Sequence, residues 1–86
     1  MAKESTSMQS QSPLSQAQAS VAKATRAVHQ AESHPTDTAV DQASNAVEKA
    51  GNAVESAVNS DNKQALEEAR AELADAQDTL SDLNPS

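Results

Sequence analysis

Thirteen acidic residues and two histidines are the groups in this 86-residue chain that could do acid–base or metal chemistry. His29 and Glu32 stand in the order His-x-x-Glu, close to one helical turn apart. Such a pair could share a cation, but a metal centre needs more ligands, and no carboxylate lies at a helical ligand spacing from both His29 and His34. The plainer reading of both histidines is a surface position. There is no cysteine to supply a thiolate, no glycine-rich phosphate loop and no activated-serine signature. Glu68, Glu72 and Asp75 share one face of a helical stretch, and nearby Asp78 and Asp82 extend it. Without histidines or loop oxygens beside them, they read as solvated acids rather than a cation site. The expectation is a protein without enzymatic activity, metal or cofactor.

What remains is chemistry of contact. Asp41, Asn45, Glu48, Asn52, Glu55 and Asn59 follow a 4-3-4-3-4 spacing. On a helix they form one stripe that repeats about every 10.5 Å. A partner could dock on such a ladder of carboxylates and amides. The plainer reading is a solvated face, which charged stripes on helices usually are. Gly51 is the only glycine and falls inside the same helical stretch, where it costs about 1 kcal/mol relative to Ala. Either a helix or ligand approaches closely there, or the residue is merely tolerated. The candidate partner-binding residues are these five acids and amides from Asp41 to Glu55, Gly51, and the carboxylates of Glu68, Glu72, Asp75, Asp78 and Asp82.

The elements that must position them follow from the apolar spacing. Leu14, Ala17, Val21, Ala24, Val28 and Ala31 keep to one helical face. So do Val40, Ala43, Val47, Ala50, Val54 and Ala57, and again Leu66, Ala69, Leu73, Ala76, Leu80 and Leu83. This spacing predicts helices over about 13–32, 38–59 and 62–83. Ser12 can cap the first, with Pro13 at a position where a missing N–H costs nothing. Pro35 disfavours helical geometry at His34 and so ends it. The second helix starts within Thr36–Thr38, where Thr38 with Asp41 resembles a capping box, and Asp61 with Gln64 is a cap pair for the third. "NPS" at 84–86 stops the chain's last helix.

Helices two and three cannot be one rod. Val54 and Leu66 are twelve residues apart, which rotates the seam about a third of a turn. A turn at 59–63 restores both seams to one core. Leu14, Val40 and Leu66 open three segments spaced 26 apart, a pattern with the look of a degenerate helical repeat. The fold class is all-α: a three-helix, antiparallel up-down-up bundle over 12–84, preceded by a disordered tail at 1–11. Almost every seam alternates a large residue with Ala, which resembles the Ala-rich antiparallel coiled-coil packing known as the Alacoil.

The stretch "AVDQASNAVEKAGNAVESAVN" at 39–59 sharpens this. With Val40, Val47 and Val54 at heptad position a, Ala39, Ala46 and Ala53 fall at g, and Ser44, Gly51 and Val58 at e. The middle helix is therefore expected to carry the widest buried stripe and to touch both neighbours. The outer helices are more polar at their flanks, with Gln18, Thr25 and Glu32 on one and Arg70, Glu72 and Gln77 on the other.

Composition narrows the partners. Net charge is −7, so the chain is unsuited to grip a nucleic-acid backbone directly, and it has no aromatic residue on which bases could stack. Acidity favours basic protein partners. No apolar run is long enough for a signal sequence or membrane span, and the missing cysteines fit a cytoplasmic home. Six Val and five Leu make a thin core, which predicts a marginal monomer or one that gains from forming a homo-oligomer.

Three resemblances bear on function. Seven acids between Asp61 and Asp82 make the chain similar in charge and size to small acidic helical inhibitors of nucleic-acid enzymes, as in some phage-encoded inhibitors. That likeness implies mimicry of a phosphate backbone in a basic groove. "NAVEKAGNAVESAV" resembles the repeats of late-embryogenesis-abundant-like proteins, which implies a protective role in drying and low helicity in dilute buffer. "DQASNAVEKA", and in part "HQAES", resembles the QAxxAVxxA segments of short acidic helical proteins of unknown function from Bacillus-type bacteria. That family implies no activity.

Overall fold

The computed structural model describes residues 12–83, and the expected tail at 1–11 and the "NPS" stop lie outside them. Three helices follow in order: α1 (Pro13–Ser33), α2 (Asp37–Ser56) and α3 (Lys63–Leu83). Short turns at 34–36 and 57–62 reverse the chain twice, and all three helix pairs are in contact. The described residues form an all-α, three-helix bundle.

The three helices begin in one way. A side-chain oxygen accepts the N–H three residues on, and the same residue's carbonyl accepts the N–H four residues on. Ser12 does this for Ser15 (3.1 Å) and Gln16 (3.0 Å), Thr36 for Ala39 (3.0 Å) and Val40 (3.0 Å), and Asn62 for Ala65 (3.1 Å) and Leu66 (3.2 Å). Each cap satisfies donors that a helix start leaves unpaired. Ser12 with Pro13 is the arrangement expected from sequence. The other two caps differ from expectation. Thr36, extended directly after Pro35, already has cap geometry, so Thr38 is carried inside the first turn. Asp61 stays outside α3 because its carbonyl takes the Lys63 N–H at 3.1 Å, leaving Asn62 as the cap.

The helix ends are tight turns. His34 donates to the Gln30 carbonyl at 2.9 Å, and Thr36 donates to the His34 carbonyl across Pro35 at 2.8 Å. α2 stops at Ser56, short of the expected 59. Ala57 and Val58 donate to Val54 and Glu55, three residues back, at 3.0 and 3.2 Å. That three-residue bonding winds the chain off the α-helical path while still burying Ala57.

The core consists of Ala, Val and Leu from the three predicted seams, and among the described residues no polar or charged residue is buried. Its centre is α1, not α2. The α1 seam from Ala17 to Ala31 is 0–1% exposed, against 4–8% for Leu66, Ala69, Leu73 and Ala76. α1 and α2 form the most extensive helix pair, and α2 and α3 the least. The expected double-flanked stripe on α2 is covered less on its second side. Ala39, Ala46 and Ala53 are half-buried, as is Gly51 on the other flank, but Ser44 there is exposed and Val58 is 45% exposed. The reason lies in neighbouring flanks. On the side of its seam away from α1, α3 carries Arg70 and Gln77, both exposed, and such long polar side chains hold a neighbour off.

Candidate functional site

α1 and α3 run in the same direction, separated by a middle helix that runs back. Between them lie two open grooves that meet end to end. The wider, about 450 Å³, has a floor of Val28 and Ala76. Its α1 wall is Ala22, Thr25, Arg26 and His29, and its α3 wall is Glu72, Asp75 and Thr79. The narrower, about 160 Å³, continues toward the helix starts between Gln18 and Val21 on α1 and Ala65, Glu68 and Ala69 on α3. Glu72 lines both, so the two form one cleft.

The spacing explains how the helices build it. Gln18, Ala22, Thr25 and His29 recur at 4-3-4 on one flank of the α1 seam. Ala65, Glu68, Glu72, Asp75 and Thr79 recur at 3-4-3-4 on the facing flank of α3. Flanks carrying Gln, Arg, His and Glu cannot close as an Ala flank can, so a furrow remains above the sealed seam.

The cleft is electrostatically lopsided. Glu68, Glu72 and Asp75 stand on the α3 wall, with Arg26 and His29 opposite at the wide end only. Thr25 adds a polar feature: its Oγ1 is shielded from solvent and has no hydrogen-bond partner. A shielded hydroxyl left unpaired costs free energy, of order 1–3 kcal/mol. Although His29, Glu72 and Asp75 line one groove, no group of three or more His, Asp or Glu among the described residues is placed to hold a metal. No helix among the described residues is long and apolar enough to cross a membrane.

The residues expected from sequence divide into two sets. Glu68, Glu72 and Asp75 come together on the cleft wall. Asp78 and Asp82 are exposed but line none of the three grooves, Asp78 because it points off the stripe and Asp82 because it lies past the cleft's end. The α2 ladder of Asp41, Asn45, Glu48, Asn52 and Glu55 is exposed and lines none of these three grooves, whereas Asn59, its expected last rung, lies in the turn beyond α2 and lines the third. At Gly51 a Cβ would meet nothing within 4 Å, so among the described residues none approaches closely enough to require glycine. Thr25, Arg26, His29 and Thr79 were not expected as site residues. The signal for the first three is the polar residues along α1 and for Thr79 the facing flank of α3, which become meaningful only when the two are paired.

A third groove, about 450 Å³, lies at the bundle end between the start of α1 and the 57–62 turn. Two of its polar lining groups, Ser60 Oγ and Asn62 Oδ1, are already engaged by the Asn62 and Ala65 N–H groups. No family model matches the chain, and no curated protein or solved structure does so either.

Proposed function

We propose that this chain is a non-enzymatic acidic helical protein that works by contact with another, basic protein, in a cytoplasmic setting. The observation that supports this reading is the division of labour in the bundle. Everything buried is Ala, Val or Leu, while every candidate carboxylate is exposed. Charge of one sign on the surface of a small rigid scaffold steers and selects partners of the opposite sign. The test is affinity capture from the native host at low and high salt, with light scattering on the purified chain to measure its mass. Salt-sensitive retention of a basic protein is expected. Retention that ignores salt would remove electrostatic contact as the basis of binding.

A second reading is a mimic of nucleic acid. It is favoured by the seven acids from Asp61 to Asp82, all exposed. In that case duplex DNA or RNA competes with the chain for the captured partner. Absence of competition at matched charge would leave the first reading alone.

A further inference from the structure

We propose that the cleft between α1 and α3 docks one amphipathic helix of a basic partner, which completes a local four-helix arrangement. This rests on the reading of the chain as a binder of basic protein and adds the place and the shape of the contact.

Length comes first. The α3 wall runs from Ala65 to Thr79, fourteen steps, or about 21 Å of helix. That accommodates a four-turn helix lying along the furrow. The floor of Val21, Val28, Ala69 and Ala76 is apolar and almost covered, at 1–5% exposed, so it takes only small residues on the docked face and the contact rests mainly on the charged walls. The larger volume, about 450 Å³ against about 160 Å³, lies toward the Thr79 end, which leaves more room there for an apolar side chain.

Charge selects the occupant. Glu68, Glu72 and Asp75 stand at i, i+4 and i+7, so lysine or arginine at the same spacing on the docked helix meets all three. Arg26 on the opposite wall suits an acidic residue on the other flank. A second copy of this chain is the wrong occupant, because each copy carries −7 and offers no helix with that basic spacing. Thr25 Oγ1 is shielded beneath the walls and out of a docked helix's reach, so the polar contacts fall to Glu68, Glu72, Asp75 and Arg26.

The probe is a synthetic peptide of about 14 residues, with Ala and Leu on one face, Lys on the flank that meets α3 and a single Trp at its apolar end. The chain has no Phe, Trp or Tyr, so Trp emission reports the peptide alone. Saturable binding with a blue shift, weakened by salt, is expected. Glu68→Lys with Asp75→Lys should weaken it about tenfold, and Ala22→Arg similarly, while Asp41→Lys with Glu48→Lys, an equal charge change on the outer face of α2, should change it less than about twofold. All five positions are exposed, and helicity by circular dichroism checks that each variant folds. Equal weakening by the two double variants would overturn the cleft and leave a basic partner bound elsewhere. No binding even at low salt would overturn both the cleft and the basic-partner reading. A dimer that Glu68→Lys with Asp75→Lys dissociates, seen by light scattering, would assign the cleft to a second copy and overturn the proposal.

Discussion

α1 meets its two neighbours on different terms. Toward α2 its flank is Ser20 and Ala27, and α2 presents Ala at alternate seam positions and along one flank, so the two helices pack extensively. Toward α3 its flank is Gln18, Thr25 and His29, facing Glu68, Glu72 and Asp75, and a cleft remains. The seam itself hardly differs between the two sides: Val and Ala from α1 serve both. Flanking residues, one position off the seam, therefore decide whether a helix pair seals or leaves a furrow. In this chain the sealed side provides stability and the open side provides a surface.

The harshest way to break that comparison is to attack what both sides share. Val21 is 1% exposed at the centre of the α1 seam. Val21→Asp places an unpaired carboxylate where neither neighbour can answer it, a loss of several kcal/mol, on the order of a small bundle's whole stability. The cooperative thermal melt should vanish. Val47→Asp on α2 should do the same, whereas Val58→Asp, at an exposed site, should leave the melt nearly unchanged. A folded Val21→Asp variant would mean that α1 is not the hub.

Next in size is a test of closeness. Ala50, 0% exposed on α2, has no room for a larger side chain, so Ala50→Leu should destabilise the bundle by about 1–3 kcal/mol by overpacking. Ala22 is exposed in the cleft, and Ala22→Leu should change stability by less than about 0.5 kcal/mol. Denaturant midpoints compare the two. Equal losses would mean that both sides are packed to the same density and the cleft is no cleft.

These contrasts show what could be read from the sequence and what could not. The seams were legible because their 3-4 spacing reports burial in any helix, whichever neighbour covers it. The hub was not. Ala at position g of α2 and Ser, Gly and Val at position e look alike as small residues, yet all three at g are half-buried and only Gly51 is at e. Arg70 and Gln77 on another helix decide this, and no single-helix pattern contains them. The acids divide for the same reason. Asp75 and Asp82, seven residues apart on one stripe of α3, become different only because the cleft reaches one of them. The caps differ for a local reason: Thr36 and Thr38 are both able to cap, and Thr36, whose backbone is already extended, takes the role first.

That selection gives the third prediction. Thr36→Ala and Asn62→Ala should each cost about 1 kcal/mol, because each leaves helix-start donors unpaired. Thr38→Ala and Asp61→Ala should cost only a few tenths. The two caps lie at opposite ends of the bundle, and Asn62 opens the helix that is least tightly held. Its loss should therefore fray α3 first, visible as faster amide exchange in α3 than in α1.

Smaller again is Gly51→Ala. The new methyl enters open space, so only helix propensity responds, and the bundle should gain about 0.5–1 kcal/mol. A loss instead would mean that α2 packs more closely on that flank than the exposure of Ser44 and Val58 indicates.

The smallest effect tests the cleft itself. Thr25→Val keeps the shape and nearly the helix propensity of Thr, so it isolates one hydroxyl. Oγ1 is shielded and unpaired in the free chain, and replacing it with a methyl should raise stability by about 0.5 kcal/mol. Thr79→Val, on the facing wall, removes a hydroxyl that is not orphaned, so it should give no gain. The shielded Oγ1 lies out of reach of a docked helix, so the same change should leave docking of the peptide unchanged. A loss of stability on Thr25→Val would instead mean that the hydroxyl finds a partner within the bundle, leaving the α3 carboxylates as the polar anchors of the cleft.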